Sequence, residues 1–107
     1  VTWHPRFTYM GFQYAQILSY PGSPKPEDFT AYTLHSEMEP KGALETSNPL
    51  LNQLHHNFLW GMKGNFLDVP TDCPQRDERL GWTGDAQIFC RTACYLMNAY
   101  TSIKMAA

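Results

Sequence analysis

The run Asp72-Cys73-Pro74-Gln75-Arg76-Asp77-Glu78-Arg79-Leu80-Gly81-Trp82-Thr83-Gly84-Asp85 separates two helix-like segments of the chain. It holds four carboxylates, two arginines and one tryptophan, interrupted by Pro74, Gly81 and Gly84. A solvated turn has no need of a Trp among so many charges. A pocket for a polyhydroxylated ligand does: carboxylates and arginines bond hydroxyls, an indole covers the apolar face of a ring, and one carboxylic acid can donate a proton. Asp77 and Glu78 are adjacent, so in a regular conformation their side chains diverge and only one faces a given pocket. Arg76 and Arg79 can keep the remaining carboxylates ionised or bond hydroxyls through their planar donor forks. Gly81 and Gly84 allow backbone shapes that bring the loop close to a ligand. From composition alone, a salt-bridged connection capping the second helix stands level with the ligand-site reading, because ion-pair networks also gather mixed charges.

Outward from this loop the chain divides near residue 47. On the N-terminal side the pattern has a period of two. Phe7 and Tyr9, then Phe12, Tyr14 and Gln16, then Phe29 to Ser36 form aromatic and β-branched stretches of strand type, separated by turn chemistry at Met10-Gly11, Pro21 to Pro26 and Glu39 to Gly42. On the C-terminal side the period is helical. Asn48-Pro49 reads as an N-cap and first helical position, Leu51, Leu54, Phe58 and Met62 as an apolar stripe, and Gly64 as a stop. A second helix starts near Asp85, with Phe89, Ala93, Leu96, Tyr100 and Ile103 as its buried stripe. The expected fold class is an α+β fragment: antiparallel strands from the end of a β-sandwich, then two helices. Neither part completes a core, so the chain reads as a slice across a boundary between two domains.

The 107 residues fit one domain in length, and 43% hydrophobic with 14% aromatic content indicates a folded chain. A net charge of −2 leaves no basic footprint for nucleic acid or an anionic membrane, and no apolar run approaches a membrane span. Val1 to Pro5 are not a signal peptide, and the missing initiator Met points to a processed chain or an excised piece. Cys73, Cys90 and Cys94 read as free, mostly buried thiols, since Cys90 and Cys94 stand four apart in a helical pattern. His4, His35, His55 and His56 form no ligand spacing with them, so no metal site is expected. Trp60 and the strand aromatics read as core, and Asp68 as a loop-shaping residue.

The run from Asn65 to Asp85 resembles the signature of bacterial and fungal α-L-rhamnosidases of glycoside hydrolase family 78. His4-Pro5-Arg6-Phe7-Thr8-Tyr9, with Gly11, Phe12 and Tyr14, resembles the last part of the β-sandwich that precedes the catalytic domain there. His35-Ser36 and Ser47-Asn48-Pro49-Leu50-Leu51-Asn52 resemble the crossing into its (α/α)6 barrel. The resemblance implies residues 1–46 from the sandwich and residues 47–107 from the start of a six-hairpin catalytic domain. It implies an inverting hydrolase acting on terminal, non-reducing α-L-rhamnose, with no cofactor and no metal. Rhamnose-containing glycosides or polysaccharides and the remainder of the parent polypeptide are the implied partners. By matched position, Glu78 is the general acid, while Asp72, Arg76, Trp82 and Asp85 line the rhamnose subsite. Asp77 has no role assigned. The family's general base, a Glu far downstream, has no matching position here, so the isolated piece is expected to be inactive. A non-catalytic carbohydrate-binding module and a structural interdomain segment are the other readings.

Overall fold

The computed structural model describes residues 2–106; Val1 and Ala107, the outer ends of the two expected domains, lie outside the described residues. The elements are α1 (Pro49–Asn65), a hairpin of β1 (Phe66–Leu67) and β2 (Val69–Pro70), α2 (Thr83–Leu96) and α3 (Tyr100–Ala106).

The antiparallel strands expected before residue 47 do not form. Among the described residues of that half there is one 3-10 turn, Pro26–Asp28, and one isolated bridge, Pro40 with Met97. The expected α+β fold is therefore corrected: apart from the two-residue ladder, Phe66 with Pro70 and Leu67 with Val69, the regular structure is helical. The reason is physical. A period-two stretch becomes a strand only beside a partner and over a core, and Trp3, Phe7, Phe12, Tyr14 and Tyr32 find neither, standing exposed instead.

The start of α1 follows its sequence signal. Asn48 is the N-cap, its side-chain oxygen accepting from Leu50 N at 2.9 Å, with Pro49 at the first helical position. Thr46 and Asn52 brace the cap, Asn52 Oδ1 accepting from Thr46 N at 2.9 Å. The helix runs one residue past Gly64 and ends where Phe66 N donates to Met62 O. Asp68 shapes the hairpin, taking the left-handed conformation (φ 70°) at its tip. Ser36 ties the N-terminal half here: its N–H donates to Phe66 O and its Oγ accepts from Asp68 N, both at 2.7 Å.

The second helical stripe is broken. Met97 is extended (φ −143°, ψ 163°), so Tyr100 and Ile103 belong to α3 rather than to a continuation of α2. A strap of residues 39–42 causes the break by crossing the end of α2: Lys41 N donates to Leu96 O at 3.0 Å and Asn98 N to Glu39 O at 2.8 Å. Gly42 is required there, because a Cβ would lie 2.6 Å from Tyr95 O.

The core sits where these pieces meet: Met38, Met62, Phe66, Ala93, Leu96, Met97 and Ala99, with Leu59, Phe89 and Ile103 packed on it. Phe66 meets Phe89 edge-on at 6.3 Å. Beyond this cluster the helices are uncovered. Of the α1 stripe only Met62 is buried, and Leu51, Leu54, Phe58 and Trp60 remain half exposed. The chain exposes 9182 Å², whereas a folded monomer of its mass exposes about 6,100 Å². Its radius of gyration is 16.9 Å, against about 13 Å for an ordinary domain of this length. Much apolar surface lacks a partner.

Candidate active site

The loop between β2 and α2 is closed on itself. Asp72 N donates to Leu80 O at 3.1 Å, and Leu80 N donates back to Asp72 Oδ1 at 3.0 Å. Residues 73–79 bulge from this clasp. Arg79, rather than either glycine, makes the sharp turn: its φ is 53°, while no positive φ occurs at Gly81 or Gly84. The Arg79 side chain holds the conformation, its Nε donating to Arg76 O at 3.1 Å and its guanidinium lying 5.1 Å over the Tyr9 ring. The N-terminal segment thus buttresses the loop, and Gly11 fits closely against Gln75.

Asp77 and Glu78 diverge as their adjacency requires. Asp77 points into solvent and reaches only Arg79, at 3.7 Å. Glu78, an exposed residue, turns toward Arg76 and Trp82, with 34% of its side chain exposed. Its Oε1 accepts from Trp82 Nε1 at 3.0 Å, and its Oε2 accepts from Arg76 Nε at 3.3 Å with Arg76 Nη2 at 3.1 Å. Both oxygens are thereby oriented, and half of the Trp82 surface stays open to a ligand.

Asp72 completes the cluster from the other end of the loop. Besides Leu80 N, it accepts from the Cys73 thiol, Sγ to Oδ2 2.9 Å. That thiol, more than the backbone donors, holds the Asp72 carboxyl below the usual carboxylate range, and the same bond with burial pushes the Cys73 thiol up. Asp85 enters from the first turn of α2. It lines, with Asp72, a groove of about 540 Å³ between α1 and α2, walled by Phe58, Met62, Ile88 and Phe89. α2 has no side-chain N-cap, because Trp82 occupies that position.

Of the sequence-assigned residues, Asp72, Arg76, Glu78 and Trp82 come together around Glu78, whereas Asp85 shares with Asp72 a groove that Arg76, Glu78 and Trp82 do not line. Two participants were missed. Cys73 was read only as a buried thiol; it is buried, whereas Cys90 is half buried and Cys94 exposed, all three free. Its place beside Asp72 in the sequence was the available signal. Asn65 was missed too: its Oδ1, in the groove, is buried without a partner among the described residues. Asp72, Cys73 and Glu78 offer ligand atoms within 4.8 Å of one another. The Arg76 guanidinium already pairs with Glu78 in this set.

The sequence model described as the bacterial alpha-L-rhamnosidase 6 hairpin glycosidase domain matches residues 39–106. The chain belongs to this family. The bacterial alpha-L-rhamnosidase concanavalin-like domain matches residues 1–35. An alpha-L-rhamnosidase of Streptomyces avermitilis is 48% identical over 98 residues, covering 92% of this chain, and one of Formosa agariphila is 42% identical over 102 residues, covering 94%. This rhamnosidase-family chain spans only about a tenth of the length of those relatives (10% and 11%). Among solved structures, the alpha-L-rhamnosidase from Dictyoglumus thermophilum superposes with a TM-score of 0.74 at 41% identity, over 81% of this chain and 10% of that one. The native alfa-L-rhamnosidase from Aspergillus terreus superposes with a TM-score of 0.62 at 56% identity, over 67% of this chain and 8% of that one.

Proposed function

We propose that this chain carries the acid half of an inverting α-L-rhamnosidase site, crossing from the domain that precedes the catalytic one (residues 1–46) into the start of the catalytic domain (residues 47–107). The observation that carries the reading is the convergence of Arg76, Trp82 and the Asp72–Cys73 pair on Glu78. Glu78 is the proton donor to the glycosidic oxygen of a terminal, non-reducing α-L-rhamnose. Trp82 supplies an apolar face for the ring, and Asp72, Arg76 and Asp85 bond its hydroxyls.

Inversion needs a second carboxylate far enough from the acid to admit a water, roughly 6.5–9.5 Å. Asp72 comes within 4.8 Å of Glu78 and is already occupied by Leu80 N and the thiol. It does not suit the base, which we assign to a residue outside this chain. A site with an acid and no base binds sugar weakly and turns it over negligibly.

The test is an NMR titration of the isolated chain with L-rhamnose, alongside a p-nitrophenyl rhamnoside assay. Shifts confined to residues 72–85 with no measurable product are expected. Appreciable product from the chain alone would contradict the assignment of the base, and a titration without shifts in the loop would contradict the subsite.

A further inference from the structure

From residue 2 to residue 34, Tyr9 is the one residue that is not exposed. The aromatics around it, Trp3, Phe7, Phe12 and Tyr14, all stand in solvent. The contact that sets Tyr9 apart is with the acid loop, whose Arg79 guanidinium lies 5.1 Å over its ring. Nearby, Gly11 lies so close to the other arm of the loop that an added Cβ would stand 3.1 Å from Gln75 Cβ. Tyr9 and Arg79 belong to the two separately matched stretches, residues 1–35 and 39–106, so the contact joins two domains.

Arg79 is the more buried arginine of the loop, its side chain 26% exposed against 64% for Arg76. Its carboxylate partner Asp77 is 3.7 Å away and fully in solvent, so that ion pair fixes little. Holding Arg79 falls to the Tyr9 ring and to Arg76 O. That carbonyl is a shared acceptor: it takes Arg79 Nε at 3.1 Å and Glu78 N at 3.0 Å, tying the Arg79 side chain to the main chain of Glu78. The Arg76 guanidinium then meets the Glu78 carboxyl, Nη2 to Oε2 3.1 Å. The φ of 53° at Arg79 is one that a non-glycine residue keeps only where its surroundings hold it.

We propose that Tyr9 is a positioning residue of the acid site: its ring holds Arg79 in the left-handed turn, and through the Arg76 carbonyl that turn sets where the Glu78 carboxyl stands. The inference rests on the reading of Glu78 as the proton donor. It concerns the place of that carboxyl, not its charge. Tyr9 itself touches no reacting atom. Without the ring, the Arg79 side chain swings toward Asp77 and solvent, the turn relaxes, and Glu78 loses its register with Trp82 Nε1.

The experiment measures kcat and KM of the full-length enzyme on rhamnosides whose leaving groups run from good to poor, for the native, Tyr9→Leu and Tyr9→Phe forms. Leu fills space without a ring face. It should lose roughly two- to fivefold on poor leaving groups, the size of one exposed cation–π contact, and almost nothing on good ones, with the loss in kcat rather than KM. Phe keeps the face and should restore native values. A Leu form that is unchanged, or that loses equally across the series as a merely structural role would have it, overturns the proposal. Arg79→Lys keeps a charge for the ring but drops the Nε donor to Arg76 O. It should give the same selective loss, carries the test if the Leu form does not fold, and overturns the proposal if its loss is flat. In the Lys background Tyr9→Leu should add nothing, and additive losses also overturn it. Glu78→Gln is measured in parallel. If it retains near-normal rates on poor leaving groups, the acid assignment falls and this inference with it. If it loses them while Tyr9→Leu keeps the native leaving-group dependence, only this inference falls.

Discussion

The indole N–H of Trp82 donates to Oε1 of Glu78 at 3.0 Å. One side chain thus serves two purposes, orienting a carboxyl through its edge and offering half of its surface to a ligand. Trp82→Phe keeps a face and removes the donor. Loss of one such hydrogen bond costs about 1 kcal/mol, or roughly fivefold in kcat/KM of the full-length enzyme. Trp82→Ala should cost more and should also raise KM, since the ring face disappears as well. Equal kinetics for Phe and wild type would show that the bond does not matter.

Glu78→Gln in the full-length enzyme should fold normally and lose about a hundredfold or more on natural rhamnosides, where proton donation is needed. On aryl rhamnosides with good leaving groups the loss should be much smaller. Measuring rates across a series of leaving-group pKa values checks this, because only removal of an acid steepens that dependence.

The cap of α1 gives a stability prediction independent of catalysis. Asn48→Ala removes the acceptor of Leu50 N and should destabilise by about 1 kcal/mol, while Asn48→Gly should cost only a few tenths. Thermal unfolding followed by circular dichroism separates the two.

Two glycines should respond in opposite directions. At Gly42 an added Cβ meets Tyr95 O at 2.6 Å, a backbone atom that cannot move alone, so Gly42→Ala should cost about 1–3 kcal/mol. At Gly61, inside α1, nothing lies within 4 Å, so Gly61→Ala should gain up to about 1 kcal/mol from helix propensity. Urea midpoints read both.

The Asp72–Cys73 pair also predicts how stability follows pH. Asp72 has a lowered folded value, so its contribution is present above the unfolded carboxylate range and is lost as pH falls through the folded one. Cys73 has a raised folded value, so its contribution is present below the unfolded thiol range and is lost as pH rises through the folded one. Unfolding temperature should therefore decline at both ends, and Cys73→Ala should flatten the alkaline decline and soften the acid one.

What could be read in the sequence was what local chemistry decides. Asn48 and Pro49 form a cap wherever a helix follows them, and adjacent Asp77 and Glu78 diverge as regular backbone geometry predicts. What could not be read depends on distant partners. The period-two aromatics around Tyr9 and Tyr14 fit a strand, but strand formation needs a neighbour that these residues do not find. The helical pattern through Tyr100 continues in sequence across Met97, and only the strap at Pro40 interrupts it. In the loop, Gly81 and Gly84 were the residues read as permitting unusual backbone shapes, yet the positive φ falls on Arg79, whose own side chain bonds Arg76 O and lies on Tyr9. Cys73 escaped notice because a thiol's function depends on what lies beside it, and Glu78 comes near only after the turn is made.

The strap over the end of α2 also bears on the order in which the chain assembles. Pro40 and Met97 lie more than half the chain apart, and every residue of the acid loop falls within the interval they close. Such long-range contacts impose a loop-closure cost before they return any stabilisation, and form late. During synthesis the acid loop is complete before α2 receives its last anchor from Lys41 and Gly42. Amide exchange at Lys41 and Asn98, rather than in α1, should therefore report when the segment carrying Glu78 reaches its final shape.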